Sequence, residues 1–278
     1  MKHPTEKLLG PMSAAELQRA AVVDKVLPQL REHASRADIE ARFHMPNAEI
    51  IKSLGLTGLV VPEEFGGMGG GLRDLCAATY SMGTSCPSTA LVYFFANSAS
   101  SRGMLCLKAL EAGLFDEEEA PVVRAFAEKV LRRMGQEKLL IGNFASESNK
   151  SAKQAVTIST KAKKVEGGWQ LDGIKSFGTG TDVCDMYLVS AGIEGLEGLD
   201  AIGTFFVPRD AKGVQSRAPW DPIGLRASAS NGLKLDGVFV ADDEALAVPG
   251  SFRRMMEVSR GSFVGNQVAA ICCYLGGG

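Results

Sequence analysis

The chain has 278 residues and a formal net charge of -2 at pH 7, and 45% of its residues are hydrophobic. This length suits two domains better than one, and the hydrophobic fraction is that of a globular protein with a sizeable core. The nearly neutral charge argues against nucleic acid or an anionic membrane as the main partner, and the densest apolar stretch, "TALVYFFA", is too short to span a bilayer.

The first half of the chain has the patterns of helices. Ser13 and Glu16 form a capping-box pattern at the start of a helix, which Pro28 is expected to break or bend. Asn47 is predicted to cap a helix over "AEIIKSLG", and Gly55 is predicted to end it. Three further segments predict helices, the second of them long and largely buried: "LRDLCAATYSMG", "STALVYFFANSASSRGMLCLKALEAG" and "PVVRAFAEKVLRRMGQ".

A glycine-rich stretch, "VVPEEFGGMGGG", separates two of these helices. Gly67 and Gly69 supply the first two glycines of a dinucleotide-binding fingerprint, but Leu72 occupies the position of the third. Glu63 and Glu64 just before the glycines would repel a phosphate. We therefore predict a tight connecting loop here and no nucleotide site.

The pattern changes near residue 150, where short alternating segments begin. "AVTISTKAKKVEGGWQLDGIKSF" breaks at Gly167 and Gly168, which predicts a β-hairpin. Three more strands are predicted, "DMYLVSA", "AIGTFFVP" and "LKLDGVFV", and together they suggest a small barrel or sandwich. After Pro249 a single helix is predicted over "SFRRMMEVSRGSFVGNQVAAICCYLG".

The fold class expected is α+β with three parts. Residues 1–142 are predicted to form an all-helical N-terminal domain, and 143–248 a β-barrel middle domain. Residues 249–278 are predicted to be the first helix of a truncated C-terminal helical domain. That helix would present apolar side chains with no following helices to cover them, which predicts a chain prone to association.

The cysteines and histidines suggest neither a metal site nor a secreted protein. The six cysteines include no C-x-x-C pair, so reduced cytosolic thiols are expected. The three histidines all lie early in the chain and form no metal-ligand motif, so no metal is predicted. The N-terminus has no apolar segment typical of a secretion signal, and a cytoplasmic location is predicted.

Four segments, in this order, resemble the acyl-CoA dehydrogenase family. "LGLTGLVVPEEFGGMGGG" is similar to the family's G-L-x-G-x-x-V-P-E-E-x-G-G-x-G, and "WQLDGIKSFGTGTDVCDMYLVSA" is similar to its G-x-K-x-W-I-T-N-G hairpin and following strand. "DPIGLRASASNGLKLDGVFV" resembles its G-x-R-x-S segment, and "EVSRGSFVGNQVAAICCYLG" the first helix of its C-terminal bundle. The resemblance implies that the glycine-rich loop shapes an acyl pocket and lets the next helix pack closely.

The resemblance also implies an FAD-dependent oxidoreductase acting on the CH-CH group of acyl-CoA thioesters. Thr179 matches the threonine that contacts flavin N5, and Phe177 replaces the tryptophan that walls the ring. "ASESNKSA" matches the family's T-E-P-x-A-G-S-D only in part, because Ser148 replaces the proline. The predicted cofactor-binding residues are Phe144, Ser146, Ser151, Phe177, Gly178 and Thr179. Without the resemblance, Phe177 and Thr179 fit a strand-end aromatic and a turn threonine better than a flavin site, and "ASESNKSA" fits a polar connector equally well.

Glu257 and Arg260 match positions that hold the substrate in the family, although they also fit a solvated ion pair. No catalytic residue is assigned. One family position for the base carries Ser259, and the other lies beyond Gly278. Two explanations remain open, an incomplete chain and a relative that no longer dehydrogenates.

Two rival functions also stay open. A flavin monooxygenase of the same fold would not need the base, and a degenerate relative would serve as a binding or structural protein. The partners expected are acyl-CoA or a related small molecule and, as a possibility, an electron-transfer partner. Neither nucleic acid nor a membrane span is expected. A complete chain is expected to form a homodimer or homotetramer.

Overall fold

In the computed structural model, helices surround one curled β-sheet. The structure describes residues 6, 10–147, 158–217, 219–259 and 262–277, with the backbone alone for 262–266. The N-terminal helices are α1 (Ala14–Asp24), α2 (Leu27–Glu40), α3 (Met45–Ser53), α4 (Leu72–Gly83), α5 (Pro87–Ser98), α6 (Ser100–Glu111) and α7 (Glu119–Gly135). The expected order of a helical part, a sheet and further helices is confirmed.

The predicted helix starts are confirmed at some positions and wrong at others. Ser13 and Glu16 form the capping box of α1, and Pro28 lies in the first turn of α2. Asn47 does not cap α3, because Met45 and Pro46 already belong to that helix. A proline fits a first helical turn since it has no N–H to leave unpaired.

The long segment predicted as one helix forms two, α5 and α6, which meet at Ala99. Both are mostly buried, as expected for so apolar a segment.

The glycine-rich loop packs against the end of α7. A Cβ on Gly67 would lie 2.1 Å from the carbonyl oxygen of Val61, and one on Gly135 would lie 2.3 Å from the carbonyl oxygen of Phe65. The carboxylate of Asp74 accepts the N–H of Gly71 at the start of α4, at 2.8 Å. The loop therefore permits close packing, and its helix N-terminus is already occupied by a carboxylate.

The strands form one sheet in which the fourth strand is central. The strands are β1 (Ile141–Phe144), β2 (Lys161–Val165), β3 (Gly168–Lys175), β4 (Met186–Ile193), β5 (Ile202–Pro208), β6 (Val214–Ser216), β7 (Leu233–Ala241) and β8 (Ala245–Leu246). Their order is β6-β7-β3-β2-β4-β5-β8, and β1 also pairs with β4. The β2–β3 hairpin turns at Gly167, as predicted. Residues 155–157 of the predicted hairpin lie outside the described residues.

Strand β1 was not predicted from the sequence, yet it connects the helical part to the sheet. It follows α7 and runs parallel to the first half of β4, while β2 runs parallel to the end of β4. The two parts also share a core, in which the rings of Phe126 on α7 and Phe206 on β5 have centroids 5.1 Å apart.

The helix predicted after Pro249 is two helices, α8 (Ser251–Glu257) and α9 (Ser262–Gly277). Helix α9 packs on α4 and α5, and Thr79 Oγ1 donates to the carbonyl of Ala269 at 3.0 Å. The opposite face of α9 leaves Val268, Ile271 and Leu275 about half exposed, at 45%, 54% and 55%.

The predicted division of the chain at residues 142 and 248 stays a prediction. The six cysteines, all in the described part, are free and buried. Among the described residues, no helix combines the length and apolar character that a membrane span requires.

Candidate functional site

Two of the predicted cofactor-binding segments lie side by side. The N–H of Ser176 donates to the carbonyl of Ser146 at 2.9 Å, which joins the end of β1 to the turn after β3. A Cβ on Gly178 would lie 2.0 Å from a ring carbon of Phe144, so this glycine is required by the packing. Phe144 itself is buried, with its ring 4.6 Å from that of Tyr187. Phe144 thus supports the turn from inside and presents no surface to a ligand.

Phe177 presents the exposed aromatic surface of this site. Its side chain is 68% exposed, and its backbone φ of 55° lies in the left-handed region that bulky residues avoid. Its ring meets the ring of Trp220 edge-to-face at a centroid distance of 6.2 Å. A large aromatic held outward in an unfavourable backbone conformation is typical of a functional surface.

Thr179 lies behind Phe177 in a chain of three hydroxyl groups. The hydroxyls of Thr179 and Ser230 are 3.0 Å apart, and those of Ser230 and Ser228 are 2.8 Å apart. Each hydroxyl donates one hydrogen bond and accepts two, so Thr179 keeps capacity for a ligand. Thr179 is only 8% exposed, and any ligand must therefore approach it through its small exposed edge.

The other predicted cofactor residues are less well placed or outside the described residues. Ser146 is exposed and contributes its carbonyl to the bond with Ser176. Ser151 lies outside the described residues. Glu147, the glutamate of "ASESNKSA" that corresponds to the one in T-E-P-x-A-G-S-D, turns its carboxylate into the protein.

A buried ion pair between Lys175 and Glu147 was missed from the sequence. Lys175 Nζ lies 2.7 Å from Glu147 Oε1, and both side chains are almost fully buried. Burial by itself raises the pKa of Glu147, but hydrogen bonds from Lys175, Ser159 and Thr160 outweigh burial and lower that pKa to about 2. Burial also lowers the pKa of Lys175, which Glu147 opposes, and we conclude that the two groups are charged together. The glutamate belongs to one family motif and the lysine to another, and their spacing of 28 residues gave no sign of contact.

A cleft of about 920 Å³ opens between the end of α2 and the loops before β4 and β7, and Phe177 relates to it through its ring contact with Trp220. Its lining includes Trp220 and three arginines, Arg36, Arg42 and Arg217. Arg36 is paired with Glu40 at 2.7 Å.

The predicted substrate residues are not brought together in the described structure. Glu257 is exposed and pairs with Arg253 one turn earlier, at 3.0 Å, so its described partner is not Arg260. Arg260 lies outside the described residues. Ser259 is buried, and its hydroxyl donates to the carbonyl of Met256 at 2.9 Å. Over the described ranges no cluster of histidine, cysteine or carboxylate side chains fits a metal ion.

Two family descriptions match the chain. "Acyl-CoA dehydrogenase, N-terminal domain" matches residues 13–109, and "Acyl-CoA dehydrogenase, middle domain" matches residues 143–238.

Curated relatives include enzymes with different reactions. L-evernosamine nitrososynthase from a Micromonospora species is 28% identical over 241 residues, which is 86% of this chain and 53% of the relative. The probable acyl-CoA dehydrogenase YngJ of Bacillus subtilis is 24% identical over 235 residues, covering 84% of this chain and 58% of the relative. The chain therefore spans little more than half the length of these relatives.

Among solved structures, KijD3 in complex with FMN and dTDP-3-amino-2,3,6-trideoxy-4-keto-3-methyl-D-glucose superposes with a TM-score of 0.75 at 25% identity. The match covers 96% of this chain and 62% of KijD3. The matched domains, their order and the curled sheet between helices agree, and the chain belongs to the acyl-CoA dehydrogenase family.

Proposed function

We propose that the protein is a flavoprotein oxidoreductase of the acyl-CoA dehydrogenase type, with the flavin held at the Phe177-Gly178-Thr179 turn. The observation that carries the proposal is the exposed ring of Phe177, in the same short turn as Thr179, whose hydroxyl keeps hydrogen-bonding capacity. A flat aromatic surface suits one face of an isoalloxazine ring, and a hydroxyl can hydrogen-bond its edge. These residues therefore fit a flavin.

When bound, the flavin supplies the redox chemistry, and the protein orients it and excludes water. Phe177, Thr179 and Ser146 are the residues that would hold the flavin, Phe177 through its aromatic surface and the other two through their hydroxyl groups. The family resemblance favours FAD as the flavin. FMN is the alternative, since FMN occupies the related KijD3.

The reaction proposed is oxidation of the CH-CH group of an acyl-CoA thioester. The alternative is flavin-dependent monooxygenation, and a specific observation favours it. Ser259 occupies one family position for the base, and a serine hydroxyl cannot remove an α-proton at neutral pH. A monooxygenase does not need that base, and the nitrososynthase relative shows that the family includes other reactions.

Flavin binding is the first test. Titration of the purified chain with FAD, FMN and riboflavin, followed by flavin fluorescence and visible spectra, should show saturable binding. Thr179→Val should weaken binding or shift the flavin potential. Thr204→Val is the matched control, because Thr204 is also a buried threonine but lies in β5. A chain that binds none of the three flavins would rule the proposal out.

The second test separates the two reactions. Acyl-CoAs of several lengths, mixed anaerobically with the flavin-loaded protein, would bleach the flavin in a dehydrogenase. Oxygen consumption by the reduced, loaded protein with formation of an oxygenated product would instead identify a monooxygenase. Flavin binding with neither reaction would leave the third expectation, a binding or structural protein.

The proposal also includes an electron-transfer partner and an oligomeric state. We expect an electron-transfer partner to dock at the cleft lined by Trp220, because the ring of Trp220 contacts that of Phe177. We also expect a homodimer or homotetramer of the complete protein in the cytoplasm. Light scattering of the flavin-loaded protein measures the assembly directly.

A further inference from the structure

The ion pair between Lys175 and Glu147 lies directly behind the proposed flavin site. Its side chains are 0% and 2% exposed, and its charged atoms are 2.7 Å apart. Taking two charges out of water costs several kcal/mol for each ion, and replacing such a pair with apolar side chains often costs no stability. A contribution to stability is therefore a weak explanation for a pair buried so completely.

The hydrogen bonds of the pair join four separate segments of the middle domain. Lys175, at the end of β3, also donates to the carbonyl of Ser190 on β4 at 2.5 Å. The carboxylate of Glu147, just after β1, accepts the N–H of Ser159 at 2.5 Å and that of Thr160 at 3.1 Å. Every oxygen of the carboxylate and at least two protons of the amine are thereby engaged.

Both members of the pair lie one residue from the backbone bond that joins the two halves of the site. Ser176 follows Lys175, Ser146 precedes Glu147, and the N–H of Ser176 donates to the carbonyl of Ser146 at 2.9 Å. The turn carrying Phe177 begins at once after this bond. A displacement of either charged residue would thus be transmitted directly to the turn.

We propose that Lys175 and Glu147 are positioning residues for the flavin. They hold the end of β1 and the Phe177-Gly178-Thr179 turn in the arrangement that accepts the ring, and they do not touch the ring themselves. This inference rests on the proposed flavin site.

The test separates positioning from stability by comparing single and double substitutions. Lys175→Met and Glu147→Gln each leave one buried charge without its partner and should lower the melting temperature strongly. The double variant removes both charges and should recover most of that loss. Its affinity for FAD and FMN should remain weaker than that of the unmodified protein by roughly tenfold, the loss expected when a displaced turn no longer makes one hydrogen bond to the ring.

The matched control is Arg133→Met. Arg133 and Glu244 form a two-bond ion pair at 2.6 and 2.8 Å, which joins α7 to the residue before β8 and makes no contact with the turn. This control should reduce thermal stability and leave the flavin dissociation constant unchanged.

Hydrogen exchange at the amide of Ser176 gives a readout that needs no flavin. That amide should exchange faster in the double variant than in the unmodified protein, even where the melting temperatures are similar. Unchanged exchange at Ser176, or a double variant that regains flavin affinity together with stability, would overturn the positioning role. An unmodified protein that binds no flavin would instead contradict the proposed function, while the exchange measurement would still show whether the ion pair holds the turn in place.

Discussion

At Phe177 the backbone conformation suits glycine, whereas the proposed flavin site uses an aromatic side chain. A φ of 55° costs an L-residue roughly 1–2 kcal/mol, which glycine does not incur. We expect Phe177→Gly to be more stable than Phe177→Ala by about 1 kcal/mol, because alanine keeps the Cβ that conflicts with this conformation.

Both variants should bind flavin more weakly than the unmodified protein, since both lack the ring. Thermal melts and flavin titrations of the two variants check this prediction. Equal stability of the glycine and alanine variants would show that the turn relaxes to another conformation, and unchanged flavin binding would remove Phe177 from the site.

Ser259 gives a catalytic prediction. The chain with added flavin should show little reduction by acyl-CoAs, because a positioned base is worth roughly 10²–10⁴-fold. Ser259→Glu places a carboxylate one residue before Arg260 and should allow slow flavin bleaching. Ser259→Gln is the control of similar size without a base. Anaerobic stopped-flow mixing compares the three proteins, and rapid bleaching by the unmodified chain would mean that another residue acts as the base.

Glu147 gives a pH prediction. Its pKa is about 2 in the folded protein, against an ordinary value of about 4.3 in an unfolded chain. The folded state binds fewer protons between these values, so stability from Glu147 is complete above pH 4.3 and is lost as the pH falls towards 2. Glu147→Gln should flatten the dependence of the unfolding free energy on pH in that window. If the unfolding free energy of the variant depends on pH equally steeply, the dependence arises from other carboxylates.

The sequence could identify most residues of the candidate site but not their roles. The order of motifs pointed to Phe177, Gly178 and Thr179, and the structure brings them beside the end of β1. Phe144 was expected to touch the cofactor and is instead buried, because β1 turns its side chain towards Tyr187. The Lys175–Glu147 pair depends on how β3 and β1 meet in three dimensions, which no local pattern records.

Among the secondary-structure elements, the loop before α4 shows how closely helices can approach when side chains are absent. A Cβ on Gly67 would come within 2.1 Å of the Val61 carbonyl, so Gly67→Ala must displace the backbone of this loop. We expect a loss of about 1–3 kcal/mol in unfolding free energy, as for other overpacked sites.

Gly71→Ala is the matched control for Gly67→Ala. A Cβ at Gly71 would meet nothing within 4 Å, and its φ of -114° suits any residue. This variant should stay within about 0.5 kcal/mol of the unmodified protein in urea unfolding. Similar stability of the two variants would contradict the packing role of the loop.

Helices and hairpins could be predicted where the residues that determine them are neighbours in the sequence. The predicted segment "LRDLCAATYSMG" coincides with α4, and the turn at Gly167 was recognised from its glycines. Strand β1 was missed because it has only four residues, and two of them, Gly142 and Asn143, are of types depleted in strands. It is a strand only because β4, more than forty residues later, pairs with it.

For the whole molecule, the exposed apolar face of α9 predicts that copies of the chain associate with one another. Ile271 and Leu275 on that face are each more than half exposed, and contiguous apolar surface of this kind promotes contact between molecules. We expect Ile271→Lys to reduce concentration-dependent association in sedimentation experiments. Ile39→Lys adds the same charge at an isolated exposed isoleucine of α2 and should have little effect. A monodisperse, soluble monomer before any substitution would refute the prediction.

The packing of α9 on α4 and α5 sets an order of events during synthesis. Residues 72–98 leave the ribosome long before residues 262–277, which cover them in the folded protein. The small residues that contact α9, such as Gly83 against the carbonyl of Cys273, therefore remain uncovered while the sheet is synthesised. Domains generally fold as units during translation, and exposed apolar surface recruits chaperones in the meantime. The helices that receive α9 are therefore synthesised before the sheet and covered only after it.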